Sequence, residues 1–211
     1  MKRFIPAIIL TAILMTSCRV SNKQIIRQQH LEEGVESPTS IEELKDAIAK
    51  YGGNVMRLLI LSTHYRAPVS FTEETVQSTV NELAKVQKAY NQLAVTIQLA
   101  NGDLNSKDIK VDDFIAAMAD DLNTSNAIAA MFEKVKQANV ELRKRPLNMQ
   151  EIEGIFASLN AMLNVFGIKF EMPILTAELR KTYEEYLALK AEKRFEESDK
   201  LREVLMKNNI I

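Results

Sequence analysis

"TEETVQSTVNELAKVQKAYNQLAVTIQLAN", Thr72 to Asn101, contains neither proline nor glycine. Val76, Val80, Leu83, Val86, Tyr90, Leu93 and Ile97 recur in it every three or four residues. Side chains so spaced share one face of a helix, which turns once in about 3.6 residues. The spacing predicts one long amphipathic helix, stopped at Asn101-Gly102. A stripe of that length has to be buried against other helices, and the flanking sequence supplies them.

Upstream, Ser70 and Glu73 read as a capping box for this helix, in which each side chain satisfies an orphan amide. Ser40 and Glu43 read as another, so a first helix is expected from Ile41 to Tyr51. Gly52 and Gly53 stop it. A second helix, about Asn54 to His64, carries the apolar run Leu58 to Leu61, and Pro68 prevents its continuation. Downstream, a short helix is expected over Asp112 to Ala119. Asn123 and Thr124 are cap residues for a helix to about Lys144, which Pro146 breaks. Asn148 with Glu151 caps the next. Its Ile152, Ile155, Phe156, Leu159, Met162, Leu163 and Phe166 follow the helical template, and Gly167 closes it. Thr176 starts a helix to about Lys190, and the last runs from Arg194 to Lys207. "IKFEMPIL", residues 168–175, is the only strand candidate, and Pro173 weakens it. The expected fold is all-α: an antiparallel bundle of about six to eight helices with short loops. Its parts are an apolar segment and linker (1–40), a helical connector (41–71), the main bundle (72–172) and a C-terminal helical hairpin (173–211).

The 211 residues are 46% hydrophobic and 26% charged, which suits a packed core. A net charge of −1 denies the whole molecule the strong positive field of a bulk nucleic-acid binder. One cysteine excludes an internal disulfide and a Cys-rich zinc site, and His30 and His64 are too few to complete a metal site. There is no glycine-rich phosphate loop, nucleophile elbow or HExxH. Asp112, Asp113, Asp120 and Asp121 come as adjacent pairs, whereas carboxylates facing one metal on a helix need spacings of three or four. The first pair suits a helix N-terminus, and the second leads into the turn that Asn123 caps. No catalytic residue and no metal ligand is assigned.

The N-terminal "MKRFIPAIILTAILMTSC" has a basic start, an apolar run too short to span a bilayer, and small residues before Cys18. Two readings stand: a lipoprotein signal with Cys18 as the lipidated residue, or a chance apolar start. Membrane attachment is expected only under the first.

Three blocks carry a resemblance. "KYGGNVMRLLILSTHYRAPVSFTEE" resembles the region just after the catalytic domain of cysteinyl-tRNA synthetases, class I aminoacyl-tRNA synthetases. It matches at Tyr51, Arg57, Leu58, Ser62, His64, Tyr65, Arg66, Pro68, Val69, Phe71, Thr72 and Glu74. "FIAAMADDLNTSNAIAAMFE" is similar to that family's signature through Phe114, Ala117, Met118, Asp120, Asp121, Leu122, Asn123, Thr124 and Ala127. "RFEESDKLREVLMKNNII" resembles its last helix through Asp199, Leu201, Arg202, Leu205 and Ile210, with Asn209 in place of a usual glycine. The resemblance covers about Ile41 to Ile211. It implies a stem-contact connector and a DALR-type, anticodon-binding helical bundle that hold tRNA, and a cytoplasmic location.

The resemblance also implies what is missing. The family's catalytic domain, with its HIGH motif and zinc site, has no counterpart, so ATP and zinc are not expected as cofactors of this chain. Aligned without gaps, the KMSKS loop falls on "EGVES", residues 33–37. Glutamate there opposes the electrostatic work of the family's lysines on the adenylation transition state. The expected chain is truncated at both ends and inactive alone in aminoacylation. It binds tRNA weakly, complements a separate catalytic half, or is a gene remnant; an anchored helical interaction module is the alternative.

The candidate tRNA-binding residues are Arg57, His64, Tyr65 and Arg66 in the connector, and Lys193, Arg194, Lys200 and Arg202 in the last helices. For the first group, phosphate and base contact stands beside a polar helix end that packs a catalytic domain. For the second, phosphate contact stands beside a solvated face with interleaved acids. Tyr183 and Tyr186 are read as core rather than as stacking residues.

Overall fold

A computed structural model describes residues 41–211. The readings of the apolar segment, the linker, Cys18 and the Ser40 cap lie outside the described residues. Within them are eight helices: α1 (Ile41–Tyr51), α2 (Gly53–Leu61), α3 (Glu73–Leu99), α4 (Asp112–Ala119), α5 (Thr124–Glu141), α6 (Met149–Phe166), α7 (Ala177–Ala191) and α8 (Phe195–Lys207). No strand occurs among the described residues, and residues 168–175 form a connection without regular structure. Pro173 lacks the amide hydrogen that a ladder would need.

The long run between Thr72 and Asn101 is one helix, but its cap is not Ser70. Thr72 is extended (φ −114°, ψ 159°) and its side chain accepts from the Thr75 amide at 3.0 Å, while the Thr72 amide donates to Thr75 Oγ1 at 2.9 Å. Ser70 takes part only through its carbonyl, which accepts from Thr75 Oγ1. A cap at Ser70 would put Phe71 in the first helical turn. With Thr72 as cap, Phe71 and Val76 flank the helix start and both join the main core. Thr72→Ala is expected to cost about 1 kcal/mol and Ser70→Ala less than about 0.5 kcal/mol in urea unfolding.

Thr124 is corrected in the same way. Asn123 is the cap, its side chain accepting from the Asn126 amide at 3.1 Å, and Thr124 is the first helical residue. One cap position exists per helix, and Asn123 occupies it. α2 ends at Leu61, three residues earlier than the spacing predicts, so His64, Tyr65 and Arg66 lie in a loop. α5 likewise stops at Glu141.

Helix ends are built alike. At the end of α3, Asn101 is left-handed (φ 53°) and the Gly102 amide bonds back to the Ile97 carbonyl at 2.8 Å. Gly167, Lys193 and Asn209 take the same conformation after α6, α7 and α8 (φ 68°, 60° and 56°), with matching return bonds. Asparagine tolerates this region, which explains how Asn209 stands where glycine is usual.

The main core joins α2, α3, α4, α5 and α6. Leu58, Val86, Leu93, Ile97, Met131, Ile152 and Leu159 are fully buried in it or nearly so. Tyr90 packs on Phe156 (5.1 Å between ring centroids) and on Phe170 (5.6 Å). The connection between α3 and α4 is not a short turn. It is laid along α6, where the Asp103 amide donates to Glu153 Oε1 and the Lys110 amide to Ser158 Oγ. Gly154 allows this approach: a Cβ there would lie 3.2 Å from the Asp108 carbonyl oxygen.

A second, smaller cluster holds the α7–α8 hairpin to the far end of α3. Val95, Leu205 and Ile210 are buried, with Leu99, Leu175, Leu179, Tyr183 and Tyr186 against them. Val95 follows Leu93 by two residues, a rotation of about 200°, so α3 carries a second apolar strip on another face. Polar ties seal the joint. Gln98 donates to the Pro173 carbonyl and accepts from the Leu175 amide (2.8 and 2.9 Å). Arg180 donates to the carbonyls of Gln98 and Leu99 and to Asn101 Oδ1, satisfying the exposed C-terminus of α3.

Candidate nucleic-acid interface

The loop after α2 is held by the turn between α4 and α5. The turn is tight: Asp121 and Leu122 are consecutive left-handed residues (φ 50° and 54°). Asp121 accepts from the Tyr65 hydroxyl at 2.9 Å and pairs with Arg66 Nη2 at 3.1 Å. One turn further, Ser125 Oγ donates to the Ser62 carbonyl at 2.8 Å. His64 and Tyr65 stack (4.5 Å between centroids), the Arg66 guanidinium lies 5.2 Å from the Tyr65 ring, and the Arg66 amide donates to His64 Nδ1. The Tyr65 hydroxyl titrates above the ordinary tyrosine range, chiefly because it donates to the Asp121 carboxylate, with partial desolvation second.

Arg57 is on the exposed side of α2, beside Gly53 and Gly167, and makes no ion pair among the described residues. Only Tyr65 and Arg66 of the connector candidates meet the α4–α5 turn. The polar cluster therefore faces a neighbouring segment of its own chain as well as solvent: Tyr65 is 58% exposed.

The hairpin candidates divide by role. Lys193 is the left-handed residue that ends α7. Arg194 is spent on acidic neighbours, pairing with Glu197 and Glu192 (2.5 and 3.3 Å). Such exposed pairs contribute little and yield readily to another anion. Lys200 and Arg202 make no ion pair among the described residues. Arg202 lines a groove of about 500 Å³ between α3 and the end of α8, together with Lys88, Asn91 and Tyr186. Tyr183 lies in the small cluster, where burial raises its hydroxyl above the usual range. Asp121, Ser125 and Arg180 were not singled out as site residues by sequence reasoning. The first two lie inside the second motif block, the one signal that could have found them.

Residues 62–66 and 121–125 thus belong to two motif blocks that are distant in sequence and joined in space. Residues 113–171 match the DALR domain family. Over 178 residues the chain is 30% identical to a cysteine--tRNA ligase of Brevibacillus brevis, covering 79% of this chain and 38% of that protein. The chain is similar to the C-terminal part of cysteine--tRNA ligases. Cysteine--tRNA ligases of Oceanobacillus iheyensis (29% identical; 79% of this chain, 38% of that protein) and Pediococcus pentosaceus (31% identical; 79% and 37%) align over similar spans. The chain spans less than two fifths of the length of these relatives.

The DALR match begins in α4 and ends just after α6, so it contains the turn that grips the loop. No helix of the described residues is long and apolar enough to cross a membrane. Among them no group of three or more His, Cys, Asp or Glu could hold a metal ion.

Proposed function

We propose that this chain is a tRNA-binding helical unit of the cysteine--tRNA ligase type, working without adenylation chemistry of its own. The observation that carries the reading is the physical union of the Tyr65–Arg66 loop with the DALR-matching α4–α5 turn. An arginine and a tyrosine presented on a surface loop suit a phosphate and a ribose or base edge. Arg57, Lys200 and Arg202 supply further cations that no described acid neutralises.

The 211 residues contain no HIGH or KMSKS sequence. The side chains do not fit zinc either: two histidines and one cysteine are too few for a zinc site of the His/Cys kind. The proposed role is to hold the RNA.

Affinity should be modest and salt-dependent, because a few phosphate contacts release a few counterions. A Kd of about 10⁻⁴ to 10⁻⁶ M is expected at physiological salt. Binding of the full chain to unfractionated tRNA at two salt concentrations tests this, and a Kd insensitive to salt would count against it. Incubation with cysteine, ATP and tRNA should give no charging, and clear charging by the pure chain would overturn the reading.

A further inference from the structure

The Tyr65–Arg66 loop carries its own competitor for an anion. We infer that Asp121 masks Arg66: its carboxylate occupies the guanidinium edge that a phosphate would take, and RNA must displace it. This deepens the tRNA-binding reading and rests on it for the identity of the anion.

The geometry separates two jobs of one side chain. Asp121 Oδ1 accepts from the Tyr65 hydroxyl and so fixes the loop, while Oδ2 meets Arg66 Nη2. The loop has a second tether that does not involve Asp121, from Ser125 Oγ to the Ser62 carbonyl. The ion pair can therefore open without releasing the loop. Its two side chains are 69% and 54% exposed. An exposed pair contributes little, and a phosphate with comparable geometry can replace it.

Asp121→Asn is the informative change. Asparagine accepts left-handed backbone, so the turn at φ 50° is kept. Its carbonyl can still accept the hydrogen bond that the Tyr65 hydroxyl donates, but its amide no longer neutralises Arg66. The neighbouring Asp120 is exposed and makes no pair with Arg66, so Asp120→Asn removes the same net charge without unmasking.

The test measures tRNA affinity against salt for wild type, D121N, D120N and D121N/R66Q. A parallel titration with inorganic pyrophosphate is followed by the NMR signal of the Arg66 side chain. D121N is expected to bind tRNA about two- to fivefold more tightly, the size of the lost pair. Its log–log salt slope should stay near that of wild type, because RNA reaches Arg66 in both and only the cost of displacing Asp121 is removed. D120N should change less, and R66Q should remove the gain. D121N binding pyrophosphate no more tightly than wild type, or D120N matching D121N, overturns the masking. If no variant binds tRNA while D121N still gains for pyrophosphate, the tRNA reading falls and the masking stands. If D121N loses helicity, Asp121→Gly, which also accepts the left-handed turn, replaces it under the same criteria.

Discussion

Phe156→Ala should destabilise the whole bundle by about 3 to 5 kcal/mol, the range for deleting a fully buried phenylalanine. Phe156 is 1% exposed and stacks at an angle on Tyr90, which also touches Phe170. Its removal leaves a void where α3, α6 and the segment after α6 meet, and Tyr90 loses one of its two aromatic partners. Marginal domains hold about 5 to 15 kcal/mol in total, so one substitution consumes a large share. Urea unfolding followed by circular dichroism should show the midpoint falling with an unchanged slope. A loss under about 1 kcal/mol would mean that this core is not packed as described. Because Phe156 makes none of the loop's hydrogen bonds or ion pairs, tRNA affinity of the fraction still folded should be unchanged.

Leu205→Ala should have a loss of similar size, about 2 to 5 kcal/mol, with a different reach. Leu205 is 0% exposed, but it belongs to the small cluster between α3 and the hairpin. That cluster has only three buried apolar residues, against the many of the main core. Its loss should exceed what the hairpin joint can spare, leaving Gln98 and Arg180 as the remaining ties. Hydrogen exchange should then accelerate across α7 and α8 while α5 and α6 keep their protection. Uniform acceleration through α3, α5 and α6 would show that the hairpin and bundle are one cooperative unit. The variant also separates the candidate surfaces: contacts from Lys200 and Arg202 should weaken, and those from the Arg66 loop should remain.

The helices were legible because their signals are local. The stripe in α6, the caps at Asn123, Asn148 and Thr176, and the stop at Gly167 each involve residues within one or two turns. Ser70 failed as a cap for a reason outside that window. Two overlapping boxes compete there, and the packing of partly buried Phe71 against a core made by distant helices favours Thr72. The second strip of α3 was likewise hidden, since Val95 and Leu99 look like interruptions of the main stripe until α7 and α8 pack on them.

The candidate site divides along the same line. By itself the sequence determined the helical class, most helix limits and the motif blocks that relate the chain to cysteine--tRNA ligases. These rest on spacing and residue chemistry, which need no neighbour. Tertiary structure alone decided that Asp121, read as a turn residue, grips Tyr65, fifty-six positions away, and its neighbour Arg66. It also decided that Arg180 caps α3 from eighty-odd positions away. A side chain's partner depends on which surfaces the core brings together, and no periodicity along the chain records that.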